Sequence, residues 1–239
     1  MKKISAGLFT SVDGVVGEPQ TWHFPYFCEE LGAAVMAQLG AADTILFGRT
    51  TYDSFAGAWP ARELAGEEDA PMAKAIGDAR KIVVSHKPLE FTWRNSEQLQ
   101  GDLVEGVRAL KNEPGDGVIG VNGSISVLRE LLVAKLVDEL HLYMHPVAIR
   151  RGLRLFADAD TPIPLTLLSC TPFKSGTVHL VYGRATDPPS TTRTRSRRRS
   201  PRSMTADLVR QVAPGSTYGT RDDSLLDTAC LATAYSYSY

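Results

Sequence analysis

Ala42, Asp43, Thr44, Ile45, Leu46, Phe47, Gly48, Arg49, Thr50, Thr51 and Tyr52 form the stretch from which the fold is read. Residues 44–47 are a short β-branched and aromatic apolar run, the pattern of a strand buried on both faces. Gly48 breaks the run, and the residues after it suit a helix start. Thr50 or Thr51 can give a side-chain oxygen to the first free amides of that helix, leaving its other amides and its dipole for a phosphate. Arg49 would add a planar positive fork beside that phosphate. A plain strand, glycine turn and capped helix would read the same way, so the stretch needs support from elsewhere in the chain.

Support comes from a second copy of the pattern. Residues 117–121 read as another buried strand, followed by Asn122, Gly123 and Ser124 and by a helix that runs from Ile125 through Leu132. Two such seats on neighbouring parallel strands would grip a dinucleotide pyrophosphate from two sides. Gly48 and Gly123 would let the backbone approach it, so Gly123→Val is expected to abolish binding and to leave the fold largely intact. No GxGxxG run follows the first strand, so the doubly wound dinucleotide-binding fold is not indicated. Residues 80–85 form a further strand whose exit, Ser85, His86 and Lys87, is polar and basic. Such an exit suits a ribose 2′-phosphate and suits a solvated turn equally well.

The remaining chain fills in around these strands. Residues 3–10 read as the first strand and Ser11, Val12, Asp13 and Gly14 as the turn leaving it. The stretch 15–25 holds Gly17, Pro19 and Pro25 and reads as a loop beside a strand end. Apolar residues Phe27, Leu31, Val35, Met36 and Leu39 give residues 26–39 helical spacing. A short helix is expected over 51–55, then a surface connection from Trp59 and Pro60 to Ala70, then a helix over 71–76. A short strand over 93–99 and an amphipathic helix over 102–110 follow. Residues 137–144 alternate, with His141, Tyr143 and His145 on one face, and read as a half-buried strand available as a sheet edge. His141 and His145 are taken as ordinary strand residues. Residues 165–170 and 177–183 read as a closing antiparallel hairpin, which makes the domain α/β with a mixed, mostly parallel sheet.

Composition sets the outer limits. The 239 residues carry a formal net charge of -1 and are 43% hydrophobic, enough for one sizeable core and without a whole-chain attraction to nucleic acid or membrane. Cys28, Cys170 and Cys230 are odd in number and widely spaced, so neither a disulfide framework nor a metal site is expected. The N-terminus enters a strand at once with no long apolar run, so a cytoplasmic protein without a membrane span is expected. Composition changes near Arg184. Residues 186–239, with Pro188, Pro189 and six arginines between Arg193 and Arg202, are expected to be a disordered and dispensable tail, the one segment with a local charge for nucleic acid.

Gly48, Arg49, Thr50, Thr51, Tyr52, Asp53, Ser54 and Phe55 resemble the Gly-Arg-x-Thr-Tyr-Glu-Ser signature of the dihydrofolate reductase superfamily. In detail the chain is similar to its bacterial branch, that of the C-terminal reductase domain of the riboflavin enzyme RibD, over residues 2–185. The turns at 11–14 and 121–126 and the strand start Val137, Asp138, Glu139, Leu140 carry the same resemblance. It implies a dihydrofolate reductase-like three-layer domain over 1–185 and NADPH as the cofactor, bound by Gly48, Arg49, Thr50, Thr51, Ser85, His86, Lys87, Asn122, Gly123, Ser124 and Ile125. It also implies a mobile loop at 15–25 and a homodimer covering the edge at 137–144. Family members carry Gly, Ser, Gly where Arg150, Arg151 and Gly152 stand here. The folate enzymes place a carboxylate where this chain has Phe27, which leaves Glu29 and Glu30 as the candidate catalytic acids. Three functions follow: an NADPH-dependent reductase of a small heterocyclic or carbonyl substrate, the 5-amino-6-(5-phosphoribosylamino)uracil reductase of riboflavin synthesis, and a non-catalytic nucleotide- or nucleic-acid-binding protein.

Overall fold

A computed structural model describes residues 1–66, 70–156 and 161–185, and the tail assigned to 186–239 lies outside the described residues. Strand β1 (Lys3–Ser11) is followed by helix α1 (Glu29–Gly40), β2 (Thr44–Gly48), α2 (Arg49–Ala65) and α3 (Ala70–Asp78). Then come β3 (Arg80–Val84), β4 (Ser96–Gln98), α4 (Leu103–Asn112), β5 (Val118–Val121) and α5 (Ile125–Val133). The domain closes with β6 (Glu139–His145), β7 (Leu165–Pro172) and β8 (Val178–Arg184).

The strands form one sheet in the order β4-β3-β2-β5-β1-β6-β8-β7, parallel from β4 to β6, with the β7–β8 hairpin antiparallel at one end. Successive side chains on each strand leave opposite faces, so each central strand feeds two cores. Ile4, Ala6, Leu8, Leu46, Ile119 and Val121 pack with α4 and α5 on one side. Phe9, Ile45, Phe47 and Val83 pack with α1, α2 and α3 on the other. This three-layer mixed sheet is the expected architecture. Among the described residues no helix is long and apolar enough to cross a membrane.

Four local readings need correction. Helix α2 does not stop at Phe55 but runs on through Trp59 and Pro60 to Ala65. Proline removes one helical hydrogen bond, yet Tyr52, Phe55 and Trp59 stay on one buried stripe, and packing of that stripe outweighs the lost bond. The loop after β1 contains two short 3₁₀ turns, at Pro19–Thr21 and Phe24–Tyr26, and buries Val15, Val16, Trp22 and His23. The expected strand over 93–99 shrinks to β4, because Trp93 is buried beneath the Lys81 ammonium, 4.5 Å from its ring centre. Lys81 is itself buried and donates to the carbonyls of Ile76, Gly77 and Ala79 where α3 ends. Burial holds its pKa down at about 8. Finally, β6 is not an edge: it lies between β1 and β8, and the edge strands are β4 and β7.

Candidate active site

Strands β2 and β5 are parallel neighbours, with Thr44 opposite Ile119 and Ile45 opposite Gly120. Their carboxyl ends therefore deliver Gly48 and residues 122–124 side by side, the juxtaposition the two-seat reading requires. Helix α2 starts at Arg49 with Gly48 as its N-cap, and α5 starts at Ile125 with Ser124 as its N-cap. Gly48 has no side chain to cap with, and the Ser124 side chain does not bond to its own helix. The capping role expected of Thr50 or Thr51 is not seen, since both lie inside the first turn of α2. Two helix N-termini without side-chain caps, each with amides left over and the positive end of its dipole, thus face one cleft.

Ser124 ties the seats together. Its Oγ accepts the Gly48 N–H at 2.5 Å and donates to Thr51 Oγ1 at 2.9 Å. A Cβ on Gly48 would lie 2.7 Å from that Oγ. The missing side chain at Gly48 therefore makes room for Ser124 first, and for a ligand only through it. Gly123 has φ of 104°, and Ser124 is held left-handed at φ of 56°. Such a backbone at 123 costs a β-branched residue heavily, so Gly123→Val disturbs the fold as well as the site.

The cleft between the seats has a volume of about 280 Å³, and Arg49, Thr50, Thr51, Ile125 and Leu153 are among the residues that line it. Arg49 is half exposed and only loosely held by Asp53, at 3.4 Å. Asn122 does not join the lining. It is buried, and its carboxamide turns into the sheet, where a Cβ on Gly7 would lie 2.9 Å from Oδ1.

One strand further out, β3 pairs with β2 so that Val84 lies opposite Gly48. The Ser85, His86, Lys87 exit is therefore placed next to the first seat. The Ser85 hydroxyl closes on its own turn, accepting from Lys87 N at 3.2 Å and donating to Lys87 O at 2.9 Å. His86 and Lys87 are exposed and carry the charge and polarity of the exit.

The two candidate acids lie elsewhere. Glu29 is exposed in the first turn of α1. Glu30 reaches the β7–β8 hairpin, where it accepts from Lys174 N at 2.9 Å and pairs with the Lys174 ammonium at 3.7 Å. Glu30 is a clamp between a helix start and a hairpin, and neither acid lines the cleft.

A second cavity of about 710 Å³ adjoins the first and shares Leu153 with it. It lies between the loop after β1, at Gly17, Glu18, Thr21 and Trp22, and the loop after β6, at Ile149, Arg151 and Gly152. Asp13 pins the two loops. It accepts from Ser11 Oγ at 2.6 Å, Ile149 N at 3.0 Å and Arg150 N at 2.8 Å, and pairs with Arg154 at 3.3 Å. The Ser11 hydrogen bond, helped by the two amides and Arg154, holds its carboxyl at a pKa of about 2. Of the Gly, Ser, Gly expected in the second loop only Gly152 is kept, and Arg150 takes the left-handed backbone of the first glycine, at φ of 72°, under that clamp.

Beneath the first loop lies an aromatic cage that the sequence did not announce. His23 stacks on Phe9 with ring centres 4.6 Å apart and faces His145 edge-on at 5.8 Å. Trp22 and Tyr26 also meet the His145 ring. Both histidines are fully buried, and among the described residues neither ring nitrogen of His23 nor Nε2 of His145 has a hydrogen-bond partner. Burial lowers the His23 pKa to about 3, with the His145 ring as a lesser cause, and lowers that of His145 to about 4.

Comparison with known proteins now decides the family. The family model described as RibD C-terminal domain matches residues 2–179. The chain belongs to that family. It is a reductase-family domain, as its resemblance implied. The uncharacterized protein YyaP of Bacillus subtilis (strain 168) is 31% identical over 144 residues, 60% of this chain and 75% of YyaP. Among solved structures, a pyrimidine reductase-like protein from Corynebacterium diphtheriae superposes with a TM-score of 0.53 at 17% identity, covering 77% of this chain and 92% of the other. A diaminohydroxyphosphoribosylaminopyrimidine deaminase/5-amino-6-(5-phosphoribosylamino)uracil reductase from Thermotoga maritima superposes with a TM-score of 0.52 at 15% identity, covering 77% of this chain and 57% of that one. At such identities these two structures bear on the fold alone.

Proposed function

We propose that this RibD C-terminal family member is an NADPH-dependent reductase that delivers hydride to a small heterocyclic or carbonyl acceptor. The observation that carries the reading is the convergence of two helix N-termini without side-chain caps on one cleft, cross-tied by Ser124. A pyrophosphate fits that donor set, with amides of the first turns of α2 and α5 as donors and Arg49 as counter-charge. His86 and Lys87, beside this seat on the next strand, suit the extra phosphate of NADPH. When bound, the cofactor supplies the hydride, and the protein holds it and shields the reacting face from water. The loop after β1 and the loop after β6, joined through Asp13, frame the adjoining space for the acceptor.

A second reading, reduction of a phosphoribosylamino-pyrimidine, is favoured by Arg151 on the wall of the 710 Å³ cavity, where it suits a substrate phosphate. A homodimer also accords with the structure, now through β7 in place of the interior strand β6. Leu167 and Leu168 are exposed on this edge, and an uncovered apolar edge invites pairing. Isothermal titration with NADPH, NADH and FMN tests the main reading. NADPH is expected to bind most tightly, with an advantage over NADH that shrinks as salt rises. Failure of both nicotinamide cofactors to bind at millimolar concentration, or their displacement by FMN at lower concentration, would refute it.

A further inference from the structure

The basic turn after β3 is held from outside by Gln98, a residue that no motif marks. Gln98 ends the edge strand β4, opposite Val83 in the parallel register. Its carboxamide lies along the turn. Nε2 donates to the Ser85 carbonyl at 2.9 Å and to the Lys87 carbonyl at 3.1 Å, while Oε1 accepts the Leu89 N–H at 3.2 Å. One side chain thus satisfies three backbone groups of a five-residue segment.

The consequence follows from peptide geometry. In a trans peptide the C=O and the following N–H point in opposite directions. With the Ser85 carbonyl aimed at Gln98, the His86 N–H points away from β4, and it finds no acceptor among the described residues. The segment then continues through Pro88, which has no N–H to offer. The side of the turn facing away from β4 therefore presents the His86 amide, and the exposed His86 and Lys87 side chains lie beside the Gly48–Arg49 seat. Without Gln98 the Ser85 carbonyl loses its donor while the Lys87 carbonyl keeps only the Ser85 hydroxyl, so the turn is free to rotate the Ser85 carbonyl away from β4, which would place an acceptor where an anion needs donors.

We propose that Gln98 is a positioning residue that sets the preference for NADPH over NADH, by holding the 85–89 turn with its carbonyls toward β4 and the His86 N–H away from it. The proposal rests on the cofactor reading above. Gln98 does not touch the cofactor; it acts through His86 and Lys87.

The test is titration calorimetry of the full chain with NADPH and NADH separately, for the wild type, Gln98→Leu, Gln98→Glu, Lys87→Ala and the Gln98→Leu, Lys87→Ala pair. Gln98→Leu keeps similar bulk and removes every hydrogen bond, and Gln98→Glu keeps the acceptor for Leu89 but loses both donors. Both are expected to lower the NADPH-to-NADH affinity ratio about tenfold, about the worth of one charge-assisted hydrogen bond, with NADH affinity within about twofold of wild type. Lys87→Ala is expected to lower the ratio in the wild type and to add little in the Gln98→Leu background, because both act through one turn. An unchanged ratio in Gln98→Leu overturns the proposal, as does a parallel loss of both affinities, which would mark general damage. A wild type that binds both cofactors without preference overturns the proposal alone. A wild type that binds neither overturns the cofactor reading together with it.

Discussion

Replacing His23 by phenylalanine is expected to flatten the loss of stability in mild acid. In the folded chain His23 is fully buried against Phe9, with no hydrogen bond to either nitrogen among the described residues, and its pKa falls from 6.5 to about 3. The unfolded chain takes up its proton below pH 6.5, whereas the folded chain stays neutral until about pH 3. Stability is therefore complete above pH 6.5 and is lost progressively as pH falls toward 3, by about 1.4 kcal/mol per pH unit for this one group. At pH 5 the loss is about 2 kcal/mol, and His145, lowered to about 4, contributes a similar amount. Together these losses rival the whole margin of a weakly stable domain. The carboxylates do not confuse this window. Asp13, Asp78 and Glu113 all have lowered pKa values, so their contributions are lost only below the ordinary carboxylate range. Phenylalanine fits the same slot and forfeits no hydrogen bond, so near pH 8 the variant should match the wild type to within about 1 kcal/mol. Urea unfolding followed by tryptophan fluorescence, at half-unit steps from pH 8 to 4.5, measures the two slopes. Parallel stability profiles for wild type and His23→Phe would show that the buried ring titrates normally and that the argument is wrong.

Three further outcomes are expected. Gly48→Ala pushes a Cβ to within 2.7 Å of Ser124 Oγ, so it should cost about 1–3 kcal/mol and weaken NADPH binding at least tenfold, as read by chemical denaturation and calorimetry. Lys111→Met takes the buried ammonium from Asp138, which keeps Ile4 N and Arg184, and from the Leu136 carbonyl. A loss of about 1–3 kcal/mol in urea unfolding is expected, and no measurable loss would contradict the buried pair. Gly123→Val forces a β-branched residue to φ of 104° and should lower the melting temperature measurably along with cofactor binding, so a variant that melts like the wild type would show that the turn tolerates a side chain.

The two seats were legible because their signal is local. A β-branched run stopped by glycine and followed by a helix pattern states its geometry within ten residues, and it occurs at both Gly48 and Gly123. The tie between the seats was not legible, since Ser124 and Gly48 are 76 residues apart and serine at a helix start normally reads as a cap for its own helix. The same holds for Glu30, whose place in a first turn gave no sign of the hairpin 144 residues later that takes up its carboxylate. Trp59 and Pro60 misled for a different reason. Proline reads as a stop, and only the buried stripe it shares with Tyr52 and Phe55 reveals that packing overrides it. His23 left no trace because a polar residue in a proline-broken loop has no periodicity from which burial is inferred.

Strand order is where local pattern ends and topology begins. Residues 137–144 do alternate, and Leu140 and Tyr143 are buried in opposite layers as that alternation requires. Alternation fixes which residues share a face and says nothing of which strands lie on either side. The chain sends β8 back beside β6 and leaves β7 outermost, so the apolar edge falls on Leu167 and Leu168, in a strand whose residues are mostly exposed. The same order puts β3, β2 and β5 in succession, and with them the basic turn, the first seat and the second seat along one rim of the sheet. A dinucleotide laid along that rim would meet each group in turn, with the free ends of β1 and β6 and their two pinned loops beyond. The sheet sets the order that brings the three turns together, so a change that shifts one strand's register would displace them from one another.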